Sequence, residues 1–178
     1  MTSPDETALR KFAKPYYQTK DAMHDMSHVQ RDLETARSIS RAYHPDEETI
    51  TYAAYFHGID VRKHEVALMR FLVSRGLSRR KASKVLRVAS ESHSGSRPRS
   101  IEGKILHDAH LVAGGKALYV ARFLVTGALR GYSVEHTIEF FEENVDGRLR
   151  CYLPETRKKY AAIEAFGRKF FSDLKRSL

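Results

Sequence analysis

Apolar positions recur three and four residues apart along nearly the whole chain, so the pattern predicts helices almost throughout. The run Ser3-Pro4-Asp5-Glu6 reads as a helix start, with Ser3 as N-cap, proline in the first position and Glu6 as the capping-box partner. Ser27 and Gln30 form a second box. The helix it opens turns Val29, Leu33, Ala36, Ile39 and Tyr43 toward a core, and Pro45 stops it. A third helix is expected from about Asp46 to His57, with Ile50, Ala53, Ala54 and Phe56 inward. The fourth, around His64 to Arg75, presents Leu68, Phe71 and Leu72, and Gly76 suits its left-handed exit. Ser78 caps the next, which carries Ala82, Val85, Leu86 and Ala89. The stretch from Ser92 to Ser100 is a loop by composition. Helices follow over Ile101 to Ala109, Lys116 to Leu129, and from Ser133 through about Glu143. The last begins near Glu155 and places Tyr160, Ile163, Phe166, Phe170 and Leu174 on one face. No Asn-Gly or Asp-Gly joins alternating apolar runs, so the fold class read from the pattern is all-α.

At 178 residues, with no Pro- or Gly-rich linker, the chain is expected to be one domain over residues 1–178. No apolar run approaches the roughly 18 residues of a membrane span. Cys151 is the only cysteine, which excludes an intrachain disulfide framework and any multi-cysteine zinc site. With no basic-then-apolar leader at the N-terminus, a cytoplasmic setting is the simplest expectation. Lys and Arg number 31 against 22 Asp and Glu, a formal charge of +9 that suits an anionic partner. Between Arg62 and Arg87 nine Lys or Arg face one Glu. That segment reads either as a footprint for nucleic-acid phosphates or as a solvated pair of helices.

Histidine changes the picture most. His24, His28, His57, His64, His93, His107 and His110 recur where the expected helices begin or end, with Asp25 and Asp108 among them. Each alone reads as readily as a packed or surface residue. Metal sites, however, need neutral imidazoles and ionised carboxylates converging from separate elements, and here several helix ends supply them.

Four segments carry a family likeness: HDMSHVQR (24–31), AAYFHGID (53–60), SESHS (90–94) and EGKILHDAHL (102–111). In order and neighbourhood they resemble the HD-domain metal-dependent phosphohydrolases, over roughly residues 15–175. The resemblance implies a helical HD-type domain that hydrolyses a phosphate ester or anhydride, a nucleotide foremost, with a divalent metal ion. It implies His28, His57 and Asp108 as metal ligands. His64 and His93 fall where members place further ligands or a phosphate-contacting histidine, and Arg31 would face substrate phosphate. Arg97 and Arg99, in the loop beside His93, and Arg122 are further candidates for binding phosphate.

Two departures stand out. The doublet that names the family reads His57-Gly58, so the expected carboxylate is absent, and His110 stands where aspartate is expected. Losing an anionic ligand weakens Mg²⁺ most, leaving Mn, Ni, Co, Fe or Zn favoured. Three outcomes are compatible with these residues, one being that Gly58 is an introduced substitution. The site is vacated, leaving a catalytically impaired protein that binds a phosphorylated ligand or nucleic acid. Or it is rebuilt with Asp60, Glu65, His64 or His110, of which His64 is better placed than Asp60.

Overall fold

A computed structural model describes residues 4–178, and among these it contains nine α-helices and no strand. They are α1 (Glu6–Tyr17), α2 (Met26–Ser40), α3 (Glu47–Phe56), α4 (Val61–Ser74) and α5 (Arg79–Glu91). After these come α6 (Ile101–Val112), α7 (Gly115–Leu129), α8 (Val134–Asn144) and α9 (Pro154–Arg176). No single helix is long and apolar enough to cross a membrane.

Short polar side chains start most helices, each satisfying backbone N–H groups that have no intrahelical partner. Asp46, Asp60, Ser78, Ser100 and Ser133 cap α3, α4, α5, α6 and α8. Three starts differ from the sequence reading. Ser3 lies outside the described residues, and α1 begins at Glu6 with Asp5 accepting from the N–H groups of Thr7 and Ala8. Asp25 rather than Ser27 caps α2; the Ser27 hydroxyl instead donates to Asp25 Oδ1 at 2.6 Å. The Asp60 cap also starts α4 at Val61, earlier than His64. Gly76 leaves α4 with φ of 89°, in the left-handed region as expected.

Two apolar clusters form the core. The first joins α1 to α6, with α3 at its centre, packed against α1, α2, α5 and α6. Every residue of α3 from Thr49 to Phe56 is buried, so Thr49, Thr51, Tyr52 and Tyr55 join the four inward positions expected. A helix enclosed on all sides has no solvent face, so its apolar character is not confined to a stripe. Each large side chain buried this way contributes about 1.5–3 kcal/mol. The second cluster joins α7, α8 and α9. In α9 the buried set is Thr156, Tyr160, Ile163, Gly167 and Phe171, while Phe166 is exposed beneath Lys116. The face is rotated from the expected one because Gly167 sits against the ring of Tyr119, where a Cβ would lie 2.6 Å from Cε1.

Several charges of the basic segment are internally paired: Arg75 with Asp5, Lys81 with Asp46 and Glu48, and Lys84 with Glu102. Those pairings engage three of the nine cations of the segment.

Candidate metal centre

Helices α2, α3 and α6 meet at a buried group of four side chains: His28, Asp32, His57 and His110. His28 opens α2, where Asp25 fixes the helix start. Asp32 lies one turn on, so the i, i+4 spacing puts both on one face. His57 follows the last turn of α3, and His110 lies in the last turn of α6. Each residue offers one ligand atom, and the four atoms lie within 4.8 Å of one another. Asp32 Oδ2 stands 3.3 Å from His28 Nε2 and 3.0 Å from His110 Nδ1. The His57 and His110 rings are 4.6 Å apart between centroids, and those of His28 and His110 are 5.1 Å apart.

Three properties fit this donor set to a divalent ion. Burial holds the His28 imidazole down to about 3 and pushes those of His57 and His110 well below their ordinary value, so all three present neutral nitrogens at pH 7. His28 Nδ1 and Asp32 Oδ1 are buried without a hydrogen-bond partner, an uncommon state that a bound ligand would relieve. The third property is an oriented ring. Ser92 donates its single hydroxyl hydrogen to Ala89 O at 2.6 Å, so it must accept from His57 Nδ1, also at 2.6 Å. His57 therefore carries its proton on Nδ1 and leaves Nε2 as a bare donor. Outer hydrogen bonds of this kind typically hold a factor of 10–100 in metal affinity. Ser92→Ala should accordingly weaken metal binding about 10–100-fold in a chelator competition titration, with Ser92→Thr recovering most of it. Equal affinity in Ser92→Ala would show that the tautomer is fixed elsewhere.

The structure brings His28 and His57 together but leaves Asp108 apart. Asp108 is fully buried on the opposite side of α6, where its oxygens accept from Tyr152 N (2.9 Å), Leu153 N (2.8 Å) and the Thr156 hydroxyl (2.5 Å). Two residues along a helix turn the side chain by about 200°, so Asp108 and His110 cannot face the same point. His110 takes the place given to Asp108. His64 packs edge-on against Tyr16 at 4.9 Å, outside the group, Asp60 is an exposed cap, and Glu65 is exposed. Of the four replacement ligands considered, the structure places His110 in the group. Asp32, which lies in none of the four segments of likeness, supplies its carboxylate.

Around the centre, the His93 ring is 5.0 Å from that of His57 and opens to solvent. Arg31 and Arg122 each bury an Nε donor without a partner, and Arg31 Nη1 donates to Ser27 Oγ. Burial lowers the Arg122 pKa, as expected for a guanidinium short of a counter-charge. Arg97 and Arg99 are exposed loop residues.

Gly58 explains the missing carboxylate locally. Its N–H donates to the Tyr17 hydroxyl at 2.9 Å, that hydroxyl donates to Tyr55 O at 3.1 Å, and Lys20 Nζ donates to Gly58 O. A Cβ at position 58 would lie 2.7 Å from Tyr17 Cε1 and 2.8 Å from its oxygen. The buried tyrosine thus fills the space a side chain would need. Gly58→Asp should therefore lower stability by about 1–3 kcal/mol in urea unfolding instead of repairing the site. Adding Tyr17→Ala should make the aspartate tolerable. A Gly58→Asp single variant as stable as the parent would show that Tyr17 yields freely.

No protein-family model and no curated protein matches the chain. Solved structures do match over nearly its whole length. Bacillus subtilis YpgQ in complex with ADP is 17% identical, with a TM-score of 0.75 and 97% of each chain covered. An HD-superfamily hydrolase from Bacillus thuringiensis is 20% identical, with a TM-score of 0.68 and 98% of each covered. A Lactobacillus plantarum protein is 17% identical, with a TM-score of 0.81 and 99% and 98% covered. The chain therefore has the all-α fold of the HD-superfamily hydrolases.

Proposed function

We propose that the chain is a metal-dependent phosphohydrolase acting on a phosphate ester or anhydride of a nucleotide. The observation that carries this reading is the buried group His28, Asp32, His57 and His110, with its neutral imidazoles and unpartnered donor atoms. The fold shared with HD-superfamily hydrolases supports the reaction class, and the complex of YpgQ with ADP supports a nucleotide. A divalent ion held by these four residues would supply Lewis-acid polarisation of water and of a phosphoryl oxygen. Three nitrogens and one carboxylate favour Mn, Fe, Co, Ni or Zn over Mg. The unpartnered Nε–H groups of Arg31 and Arg122 would receive phosphate oxygens and offset charge developing on them. His93, at the open edge of the centre, would add a further phosphate contact.

Elemental analysis of untagged protein purified without chelator tests the reading, with His57→Ala as control. Near-stoichiometric transition metal that the control lacks is expected, followed by nucleotide hydrolysis with that metal. Protein that takes up no metal after dialysis against Mn²⁺, Ni²⁺ or Zn²⁺ would overturn the proposal. The Tyr17 ring beside Gly58 favours a second reading, in which the centre binds a phosphorylated ligand without hydrolysis, because it excludes a carboxylate from that position. Metal and nucleotide binding without turnover would select it.

A further inference from the structure

A cavity of about 320 Å³ opens beside the metal centre and extends between α7 and α8. His110 and Arg122 line its inner end, and Arg130, which is exposed, its outer end. These two arginines are eight residues apart, Arg122 on α7 and Arg130 as its C-cap, so the cavity runs about 12 Å along that helix. Phe123, Phe140 and Leu149 form its walls, and no other Lys, Arg, Asp or Glu lines it among the described residues.

Thr126 lies between the two arginines, one turn from each, and its buried hydroxyl has no partner. The other buried helical threonines all have a partner: Thr51 donates to Glu47 O at 3.0 Å, Thr137 to Ser133 O at 2.9 Å, Thr49 to Asp46 Oδ2 at 2.8 Å and Thr156 to Asp108 Oδ2 at 2.5 Å. Thr126 makes no such bond and lines the cavity. Together with Arg122 Nε it gives two unpartnered polar atoms in a mainly apolar sleeve, whose other polar side chains include Ser94, Thr137 and Asn144.

We propose that this cavity binds the nucleoside of a nucleoside monophosphate, with the phosphate against Arg122 and His110 and the Thr126 hydroxyl hydrogen-bonded to the ligand. The phosphate end of this assignment rests on the phosphohydrolase reading; the nucleoside end rests on the cavity. The apolar walls suit a flat base, which stacks on aromatic rings. They do not suit the hydroxyl-covered body of a sugar phosphate, whose polar groups would lose their water. Further phosphates along the sleeve would lie against Phe123 and Phe140 before reaching Arg130 at its outer end, which disfavours di- and triphosphates.

Calorimetric titration of the full-length protein, kept chelated to prevent turnover, tests this with adenosine monophosphate, adenosine diphosphate and ribose 5-phosphate. The monophosphate should bind at least about tenfold more tightly than either of the others. Thr126→Val, which keeps the shape and removes the hydroxyl, should weaken it about five- to tenfold and leave ribose 5-phosphate unchanged. Ribose 5-phosphate or the diphosphate binding as tightly as the monophosphate would overturn the proposal. So would an unaffected Thr126→Val variant, or no binding of any of the three. Because no metal is present, these outcomes are independent of the metal content that decides the reaction class.

Discussion

Asp32→Asn should lower divalent-metal affinity by at least about a hundredfold while leaving the helical content unchanged. Asp32 is the only carboxylate in the buried group: of the positions where the resemblance leads one to expect others, two hold Gly58 and His110, and the third, Asp108, is turned toward Tyr152, Leu153 and Thr156. The three imidazoles are neutral, so this one side chain carries the whole anionic charge of the donor set. Two opposite unit charges 4 Å apart interact by about 4 kcal/mol at an effective dielectric constant of 20, and a doubly charged ion at ligand distance gains more. Asparagine is isosteric and retains an acceptor for one histidine N–H, so the fold need not change. Competition with a chromophoric chelator measures the affinity, and circular dichroism checks the helices. Affinity within about fivefold of the parent would mean that Asp32 only orients His28 and His110 and that the metal sits elsewhere.

The chain's helices were legible because its signals for them are local. Capping side chains lie within three residues of the groups they satisfy, and apolar spacing within one helix reports its own buried face. Where the structure departs from those local signals, a neighbour distant in sequence decides the matter. The face of α9 is set by Tyr119 against Gly167, and the space at Gly58 is taken by Tyr17, 41 residues earlier. The centre was legible in part for the same reason. His28 and His57 stand in short segments whose order carries the family likeness, and the spacing from His28 to Asp32 was available in the sequence. What the sequence did not disclose was which side of α6 faces the centre. Asp108 and His110 are two residues apart, and only the packing of α6 between α2 and α9 sends the first toward α9 and the second toward Asp32. Ser92, which sets the His57 tautomer from 35 residues away, has no sequence signature at all.

That division of α6 predicts opposite phenotypes for two neighbouring residues. Asp108→Ala should destabilise the fold by about 3–5 kcal/mol. Three donors converge on its carboxylate: the N–H groups of Tyr152 and Leu153 and the Thr156 hydroxyl, all at the entry to α9. Removing the acceptor leaves buried donors unsatisfied, at about 1–3 kcal/mol each, with partial relaxation limiting the sum. Asp108→Asn should cost less, because one oxygen can still accept while the amide nitrogen opposes a donor. Urea unfolding reads both values. In contrast, His110→Ala should lower metal affinity with a much smaller effect on stability, since its ring is bonded only to Asp32. The two measurements together separate a ligand from a structural anchor. If Asp108→Asn lost metal at unchanged stability while His110→Ala kept it, α6 would have to present its other face to the centre, and Asp108 rather than His110 would hold the ion.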